Sequence, residues 1–163
     1  MNIRIAILAA AVIAVVGPAA AASVAKLPPS AVPVPVAELT NAYAGKTIYW
    51  PDSKSTMYWG TDGKVIGTDK PLHAIISGTW TAVDGKVCYD AAWQDITPGD
   101  KPYPLKNCWA YMRDGTKLYH QFTSDKGKSD MSWTTGKSDI DLLKAGNSVQ
   151  ANYDKVLAEV PKS

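Results

Sequence analysis

This chain of 163 residues has few histidines, few arginines and few glycine-rich loops, and each scarcity excludes a class of function. The two histidines, His73 and His120, lie far apart in sequence, and both cysteines are expected to pair with each other, so no metal site is predicted. Arg113 is the only arginine after residue 4 and the lysines are scattered, so the concentrated basic face that binds nucleic acid is missing. The glycines fall at turns and in strands, which leaves no phosphate-binding loop and no cofactor to predict.

The chain also lacks a hydrophobic run long enough to cross a membrane, which takes roughly 20 residues. Its apolar stretch from Ile5 to Val16 follows a short positive start and ends at Gly17-Pro18, before the small residues Ala20-Ala21-Ala22. This order is typical of a secretory signal peptide over residues 1–22, cleaved before Ser23. It predicts a mature protein in the periplasm or secreted, with no transmembrane segment. No cysteine stands immediately after the cleavage site, so no lipid anchor is expected.

Cysteine is almost absent, since Cys88 and Cys108 are the only two. An even pair in an exported chain predicts a disulfide, with two free thiols or a shared metal as the alternatives. Closing a loop of about 20 residues restricts the unfolded chain and should stabilise the fold by roughly 3 kcal/mol.

After cleavage, 141 residues remain, which suits one domain with a substantial core. Proline, alanine and valine dominate residues 23–36, which we interpret as an extended tether outside the core. Residues 37–137 are interpreted as a β domain. Residues 138–163 are interpreted as a helical C-terminal segment that packs on it.

Turn residues, and runs in which apolar and polar residues alternate, are by contrast abundant. Asp-Gly pairs occur at residues 62–63, 84–85 and 114–115, and such a pair between alternating runs predicts a type I′ hairpin with φ > 0 at both central residues. The runs predict eight strands, over residues 46–50, 55–61, 64–68, 74–83, 86–93, 105–113, 116–123 and 130–134. The pattern therefore predicts a mainly β fold, an antiparallel meander that forms a small barrel or a strongly bent sheet. A short N-terminal helix over residues 36–44 precedes it, and helices follow it at the C-terminus.

In the C-terminal segment the apolar residues follow the spacing of a helix and no longer alternate as in a strand. Ser138 can cap a short helix that stops at Gly146, and a second helix begins after Asn147. The apolar positions of the second helix form one stripe, made of Val149, Tyr153, Val156 and Val160. We expect this stripe to pack on the β domain, and a partner-binding helix is the alternative.

Two-residue Asp-Gly loops fix a strand register that the apolar pattern supports. In the hairpin at residues 84–85 this register pairs Trp80 with Tyr89 on an apolar face. In the hairpin at residues 114–115 it pairs Trp109 with His120. Both cysteines fall on the more polar faces of neighbouring strands, as a disulfide between those strands requires.

Aromatic residues are unevenly chosen, with six Trp and eight Tyr but one Phe. Such a set either fills an interior or lines a ligand pocket. The register places five rings inside, namely Trp80, Tyr89, Trp93, Trp109 and Tyr111. The candidate ligand or partner contacts are the less constrained aromatic residues and one histidine: Trp50, Tyr58, Trp59, Tyr103, Trp133 and His120.

Several motifs resemble one protein family. They are Ala37-Glu38-Leu39, Tyr43-Ala44-Gly45-Lys46-Thr47, the unit from Trp59 to Gly63, Gly78-Thr79-Trp80, Asp84-Gly85-Lys86-Val87-Cys88-Tyr89 and the later Cys108. From Ala37 to Trp133 the chain is similar to an uncharacterised family of exported proteobacterial proteins, domain of unknown function 995. The resemblance implies an envelope protein of a Gram-negative bacterium of the rhizobial order, and it brings no activity with it. Gly78-Thr79-Trp80 is also similar to the Gly-x-Trp of lipocalins in the calycin fold, where the motif belongs to the first strand.

We expect a non-enzymatic binding or interaction module of the periplasm, whose partner is a protein, a glycan or a small apolar ligand of the cell envelope. One alternative is a lipocalin-like carrier, which needs an internal cavity on the order of a few hundred Å³. An interaction protein needs only a filled core and exposed aromatic residues. A hydrolase is the remaining alternative, and it needs His120 or His73 to face a cleft with a carboxylate.

Overall fold

The computed structural model describes residues 23–71, 73–99, 101–123 and 132–160 as one antiparallel sheet with two α-helices. The predicted signal peptide, residues 1–22, lies outside the described residues. The strands are β1 (Ser23–Val24), β2 (Val32–Pro33), β3 (Lys46–Trp50), β4 (Ser55–Trp59), β5 (Lys64–Asp69), β6 (Ala74–Val83), β7 (Lys86–Asp95), β8 (Tyr103–Asp114), β9 (Lys117–Thr123), β10 (Thr134–Thr135) and β11 (Lys144–Ala145). The helices are α1 (Val36–Tyr43) and α2 (Gln150–Glu159), and a 3-10 turn spans Asp139–Leu142.

The sheet follows the chain through its centre. From β3 to β9, strands that are neighbours in sequence are also neighbours in the sheet, so the predicted meander is confirmed. β10 and then β1 extend the sheet beyond β9, β11 extends it beyond β3, and β2 pairs with β8. A closed barrel, one of the two predicted forms, is wrong: within the described strands, β1 and β11 at the two ends do not pair with each other.

The open sheet is nevertheless strongly curled. Four strands separate β3 from β8 in the sheet, yet the rings of Trp50 on β3 and Trp109 on β8 stack with centroids 6.1 Å apart. The link between β10 and β11, residues 136–143, connects one end of the sheet to the other. The concave face that results can enclose side chains from distant strands.

The hairpin at Asp84-Gly85 has the predicted register. Val83 pairs with Lys86, so Trp80 faces Tyr89 as expected. The predicted type I′ turn is wrong, because Gly85 has φ +71° but Asp84 does not adopt a left-handed conformation. Contacts with the N-terminal segment account for the difference: the Asp84 carboxylate accepts the N–H of Val36 at 2.7 Å, which holds the start of α1.

At the other two Asp-Gly pairs, the loop is not made of the Asp and the Gly alone. Trp59 pairs with Val65, and the Gly60 N–H donates to the carbonyl of Lys64 at 2.7 Å, which leaves a three-residue loop over residues 61–63. At the third pair, Asp114 itself pairs with Lys117, so the loop moves to residues 115–116. The predicted pairing of Trp109 with His120 is therefore wrong, and Trp109 faces Phe122. A slip of two residues keeps every side chain on its predicted face.

Helix α1 fills the end of the curl at which β3 begins. Leu39 and Tyr43 are buried on one face, as predicted, and Gly45 with φ +72° follows the helix. The Tyr43 ring meets Trp59 edge-on at 4.8 Å, and its hydroxyl shares a hydrogen bond of 2.5 Å with that of Tyr111. Burial raises the pKa of both tyrosines because it destabilises the phenolate, so this buried pair stays neutral.

Most of the predicted interior rings belong to this core. Trp80, Tyr89, Trp109 and Tyr111 are buried. Trp93 is only partly buried and packs on Tyr103, with ring centroids 5.0 Å apart. It lies nearer the end of β7, where the core gives way to the surface.

The Pro-rich segment is not a tether outside the core. β1 pairs with β10 and β2 pairs with β8, and Val34 is only 1 % exposed. The Val34 N–H donates to the carbonyl of Tyr111 at 3.2 Å, and its own carbonyl accepts the N–H of Gly85 at 2.7 Å. The interpretation of residues 23–36 as lying outside the core is therefore wrong, because the extended backbone pairs with the sheet and buries a valine among the prolines.

The C-terminal segment mixes three kinds of structure. Ser138 caps the 3-10 turn, since its backbone N–H donates to the Asp141 carboxylate at 2.7 Å. The helix predicted to continue to Gly146 is wrong beyond this turn, because Lys144 and Ala145 pair with β3. α2 packs on β5 and β6 as expected, with Val149 and Val156 buried. In the described part of the chain, neither helix is long and apolar enough to span a membrane.

The predicted disulfide joins Cys88 on β7 to Cys108 directly opposite on β8. We expect the double variant Cys88→Ala/Cys108→Ala to lose about 3 kcal/mol of unfolding free energy, because its unfolded chain regains the freedom of a loop of about 20 residues. Denaturant titration of the oxidised protein and the variant measures the difference, and the reduced wild type is the control. Equal midpoints for the oxidised protein and the variant would contradict the expectation.

Candidate functional site

A cavity of about 450 Å³ opens at the end of the curl opposite α1. β3 begins and β4 ends beside α1, so the cavity lies where β3 ends and β4 begins. Its apolar and aromatic wall is formed by Trp50, Met57, Ile76, Tyr89, Trp109 and Phe122. Its polar residues are Asp52, Ser53, Ser55, Asn107 and Asp139.

The aromatic wall is a connected set of rings. Trp50 stacks on Trp109 with an interplanar angle of 9°. Trp109 meets the edge of Phe122 at 5.4 Å and lies 5.8 Å from Tyr89. The amide of Asn107 donates to the Tyr89 hydroxyl at 2.6 Å, which fixes that ring. Because each ring is held by contacts with another, the protein's own side chains keep the wall in shape.

A carboxylate, Asp139, lies at the edge of this wall. Asp139 is the first residue of the 3-10 turn, and its carboxylate accepts the indole N–H of Trp50 at 2.7 Å. Burial raises its pKa, and the hydrogen bond from Trp50, the nearby indole of Trp109 and His120 when it is protonated oppose that rise. Among the residues that the structure describes, the ion pairs join Lys64 to Asp62, Lys106 to Asp90 and Arg113 to Glu38. None of them involves Asp139.

A second cavity, also of about 450 Å³, adjoins the first, and Asp52 and Asp139 line both. It includes His120 and Lys137. Burial lowers the pKa of His120, while Asp139 and Asp141 partly oppose this effect. The imidazole is therefore neutral at pH 7.

His120 thus meets the condition set for a hydrolase, a histidine that faces a cleft with a carboxylate. The hydroxyl of Thr134 lies 3.3 Å from its Nδ1 and 3.2 Å from its Nε2. The in-plane lone pairs of the two ring nitrogens point in different directions, so an oxygen nearly equidistant from both is aligned with neither. The same hydroxyl donates to the backbone carbonyl of His120 at 3.1 Å. This geometry does not activate Thr134 as a nucleophile.

His73, the other histidine, lies in a smaller cavity of about 220 Å³ beside α2. Asp69, Lys155 and Glu159 share this cavity. His73 has φ +46°, an uncommon conformation for a residue other than glycine. Within residues 23–71, 73–99, 101–123 and 132–160, no three His, Cys, Asp or Glu side chains are grouped to hold a metal.

The predicted contact residues fall in different places. Trp50 and His120 line the two adjoining cavities. Trp59 is 0 % exposed at the centre of the core, so its prediction as a surface contact is wrong. The remaining three are outside the cavities: Tyr58 is half-buried on the opposite face of β4, Tyr103 is exposed beside Trp93, and Trp133 is half-buried with its carbonyl bound to the N–H of Ala25.

Three residues that complete the site, Asp139, Asn107 and Phe122, are not among the contacts predicted from the sequence. Asp139 lies 89 positions from Trp50, and the sequence predicts only that it begins the short helix capped by Ser138. Phe122 and Asn107 follow from the alternation of β9 and β8 once the register is known. The one usable signal was Phe122, the single phenylalanine on the face that already carried Trp109.

One of the comparisons with known proteins finds a match. No curated protein and no solved structure matches the chain significantly. A family model matches residues 10–139, more than half of the chain and a longer stretch than the motifs from Ala37 to Trp133 had suggested. The chain therefore belongs to the family described as protein of unknown function (DUF995).

Proposed function

We propose that this protein is a non-enzymatic binding protein of the cell envelope that holds a small amphipathic ligand in the open end of its curled sheet. The observation that carries the proposal is the ring-lined cavity bounded by Trp50, Trp109 and Phe122. Its volume of about 450 Å³ lies within the range of small-molecule sites, roughly 300–1,000 Å³. Its lining combines six apolar or aromatic residues with five polar ones, which suits a ligand with an apolar body and a polar end.

The proposal includes an exported, periplasmic or secreted protein. Support comes from the signal-peptide pattern of residues 1–22 and from the disulfide between Cys88 and Cys108, since disulfides persist in oxidising compartments. A carrier of calycin or lipocalin type is the finer form of the same idea, because a curved meander with a helix at one end leaves the other end free for a ligand.

A hydrolase is disfavoured by the placement of its best candidates. The Thr134 hydroxyl is bound to a backbone carbonyl, and it is aligned with neither nitrogen of His120. Asp139 is bound to the indole of Trp50. Both Thr134 and Asp139 would have to break these hydrogen bonds before they could take part in hydrolysis.

Native mass spectrometry of the mature protein, purified from the periplasm without reductant, tests the proposal. We expect extra mass that leaves on denaturation, or, after its removal, small amphipathic molecules that shift the NMR signal of the Trp50 indole N–H. Ser53→Trp at the rim of the cavity should block binding, and Ser30→Trp in an exposed turn far from it is the matched control. A mass equal to the chain less two hydrogens, with no response from Trp50, would contradict the proposal and favour an interaction protein.

A further inference from the structure

We infer that the ligand of this cavity is cationic: an amine or guanidine joined to an apolar body, with the charge beside Asp139 and the body against the aromatic wall. The inference deepens the proposed function and rests on it. It is carried by two features that lie side by side: a carboxylate that forms no ion pair with any cation among the described residues, and a set of electron-rich rings.

The carboxylate is the first feature. A partly buried carboxylate loses hydration, and it is stable only if hydrogen bonds or an opposite charge replace that hydration. An ionised carboxylate can accept about four hydrogen bonds. The indole of Trp50 supplies one neutral donor to Asp139, at 2.7 Å, and brings no positive charge. The remaining lone pairs are therefore available to a charged donor.

The protein's own cations do not take this place in the described part of the chain. Arg113 is paired with Glu38 on the outside of the sheet. Lys137 lines the second cavity and is exposed, and it forms no ion pair with Asp139. His120 is neutral at pH 7 because burial lowers its pKa.

The aromatic wall is the second feature. A cation within about 6 Å of the face of a Trp, Tyr or Phe ring is attracted by the negative face of the ring, most strongly for Trp. Because Trp50 donates its N–H to Asp139, the ring and the carboxylate are in direct contact. A cation bound to the carboxylate is thereby brought next to the stacked pair of Trp50 and Trp109.

The charge of the site also selects against other ligands. Asp52 joins Asp139 in lining the cavity, so an anion would meet two carboxylates. A neutral ligand would fill the aromatic part and leave Asp139 without a counter-charge. Only a cation satisfies both parts of the site.

Three probes of similar size and different charge test the inference on the intact mature protein: phenethylamine, phenethyl alcohol and phenylacetate. Titration followed by the Trp50 indole N–H signal gives each affinity. We expect phenethylamine to bind about tenfold or more tighter than the alcohol, because charge-assisted hydrogen bonds are the stronger kind. Phenylacetate should bind most weakly.

Asp139→Asn should remove the preference for phenethylamine over the alcohol, since asparagine keeps an acceptor for the Trp50 N–H but carries no charge. Asp154→Asn removes the same charge from the exposed face of α2 and should change neither affinity. Should Asp139→Asn not fold, the ranking of the three probes on the wild type still decides.

Equal binding of amine and alcohol by the wild type overturns the cationic ligand and leaves the proposed function standing. Binding of none of the three probes, together with no co-purified mass, overturns both. An amine preference that persists in Asp139→Asn also overturns the inference, because the selectivity would then arise elsewhere.

Discussion

Replacing Trp59 by alanine is expected to lower the free energy of unfolding by about 3–5 kcal/mol, the range measured for large aromatic truncations in cores. The Trp59 side chain is 0 % exposed, and its ring contacts those of Tyr43, Trp80, Tyr89 and Trp109. Its removal would leave a large cavity between α1 and the sheet that the neighbouring rings, held by each other, cannot close. Chemical denaturation followed by circular dichroism measures the change.

Two further variants give this prediction its controls. Trp59→Phe should cost less than Trp59→Ala, because it keeps a ring and removes an indole N–H that has no hydrogen-bond partner in the described structure. Tyr58→Ala, at the neighbouring half-buried position on the opposite face of β4, should have a smaller effect than either. A loss below about 1 kcal/mol for Trp59→Ala, the size typical of an average substitution, would show that the aromatic core is not packed as described.

Gly78→Ala is expected to destabilise the fold by more than about 3 kcal/mol, beyond the usual range for overpacking. A Cβ atom at residue 78 would overlap the carbonyl oxygen of Asp90 and the Cα of Ala91, both in the backbone of β7. Backbone atoms within a sheet cannot rotate aside as a side chain can, so β6 and β7 would have to separate locally. Thermal and chemical denaturation of the variant would measure the loss.

Other glycines provide a graded comparison. Gly67→Ala should be milder, since its Cβ would approach the carbonyl oxygen of Thr56 at 2.8 Å. Gly99→Ala meets nothing within 4 Å but has φ +90°, so it should cost only about 1–2 kcal/mol of backbone strain. If Gly78→Ala proved no worse than Gly99→Ala, the close approach of β6 to β7 would be wrong.

The features that the sequence predicted well are local. The register around Asp84-Gly85 depends on residues within one hairpin, and α1 depends on the spacing of Leu39 and Tyr43 and on Gly45. The disulfide depended only on counting, because two cysteines allow one pairing. In each case the deciding interactions are formed by residues close in sequence or by a forced choice.

The features that the sequence did not predict depend on distant partners. Val34 is buried because the backbone of Tyr111 and Gly85 bonds to it, and nothing in a Pro-rich segment indicates that partner. Lys144 and Ala145 become a strand because the edge of β3 is free beside them. Trp59 alternates with Tyr58 on a short strand, and only the direction of curl decides which of the two is enclosed.

The candidate site contains residues that could be predicted from local sequence and one that depends on a distant partner. Trp50 and His120 could be singled out as aromatic or titratable residues in strands, but Asp139 meets Trp50 only after the link between β10 and β11 has crossed from one end of the sheet to the other. A carboxylate that also suits the first turn of a helix carries no sign of such a role.

That crossing link bears on the order in which the chain folds. The hairpins from β3 to β9 join strands that are neighbours in sequence, whereas β1, β2 and β11 pair with strands far along the chain. Closing long loops costs conformational entropy before distant contacts can offset it, so local hairpins form early and remote pairings late. We therefore expect the central meander to assemble first and the link between β10 and β11 to dock afterwards. Asp139 would then reach Trp50 in one of the last steps of folding, and a chain halted before that step would have the aromatic wall without its carboxylate.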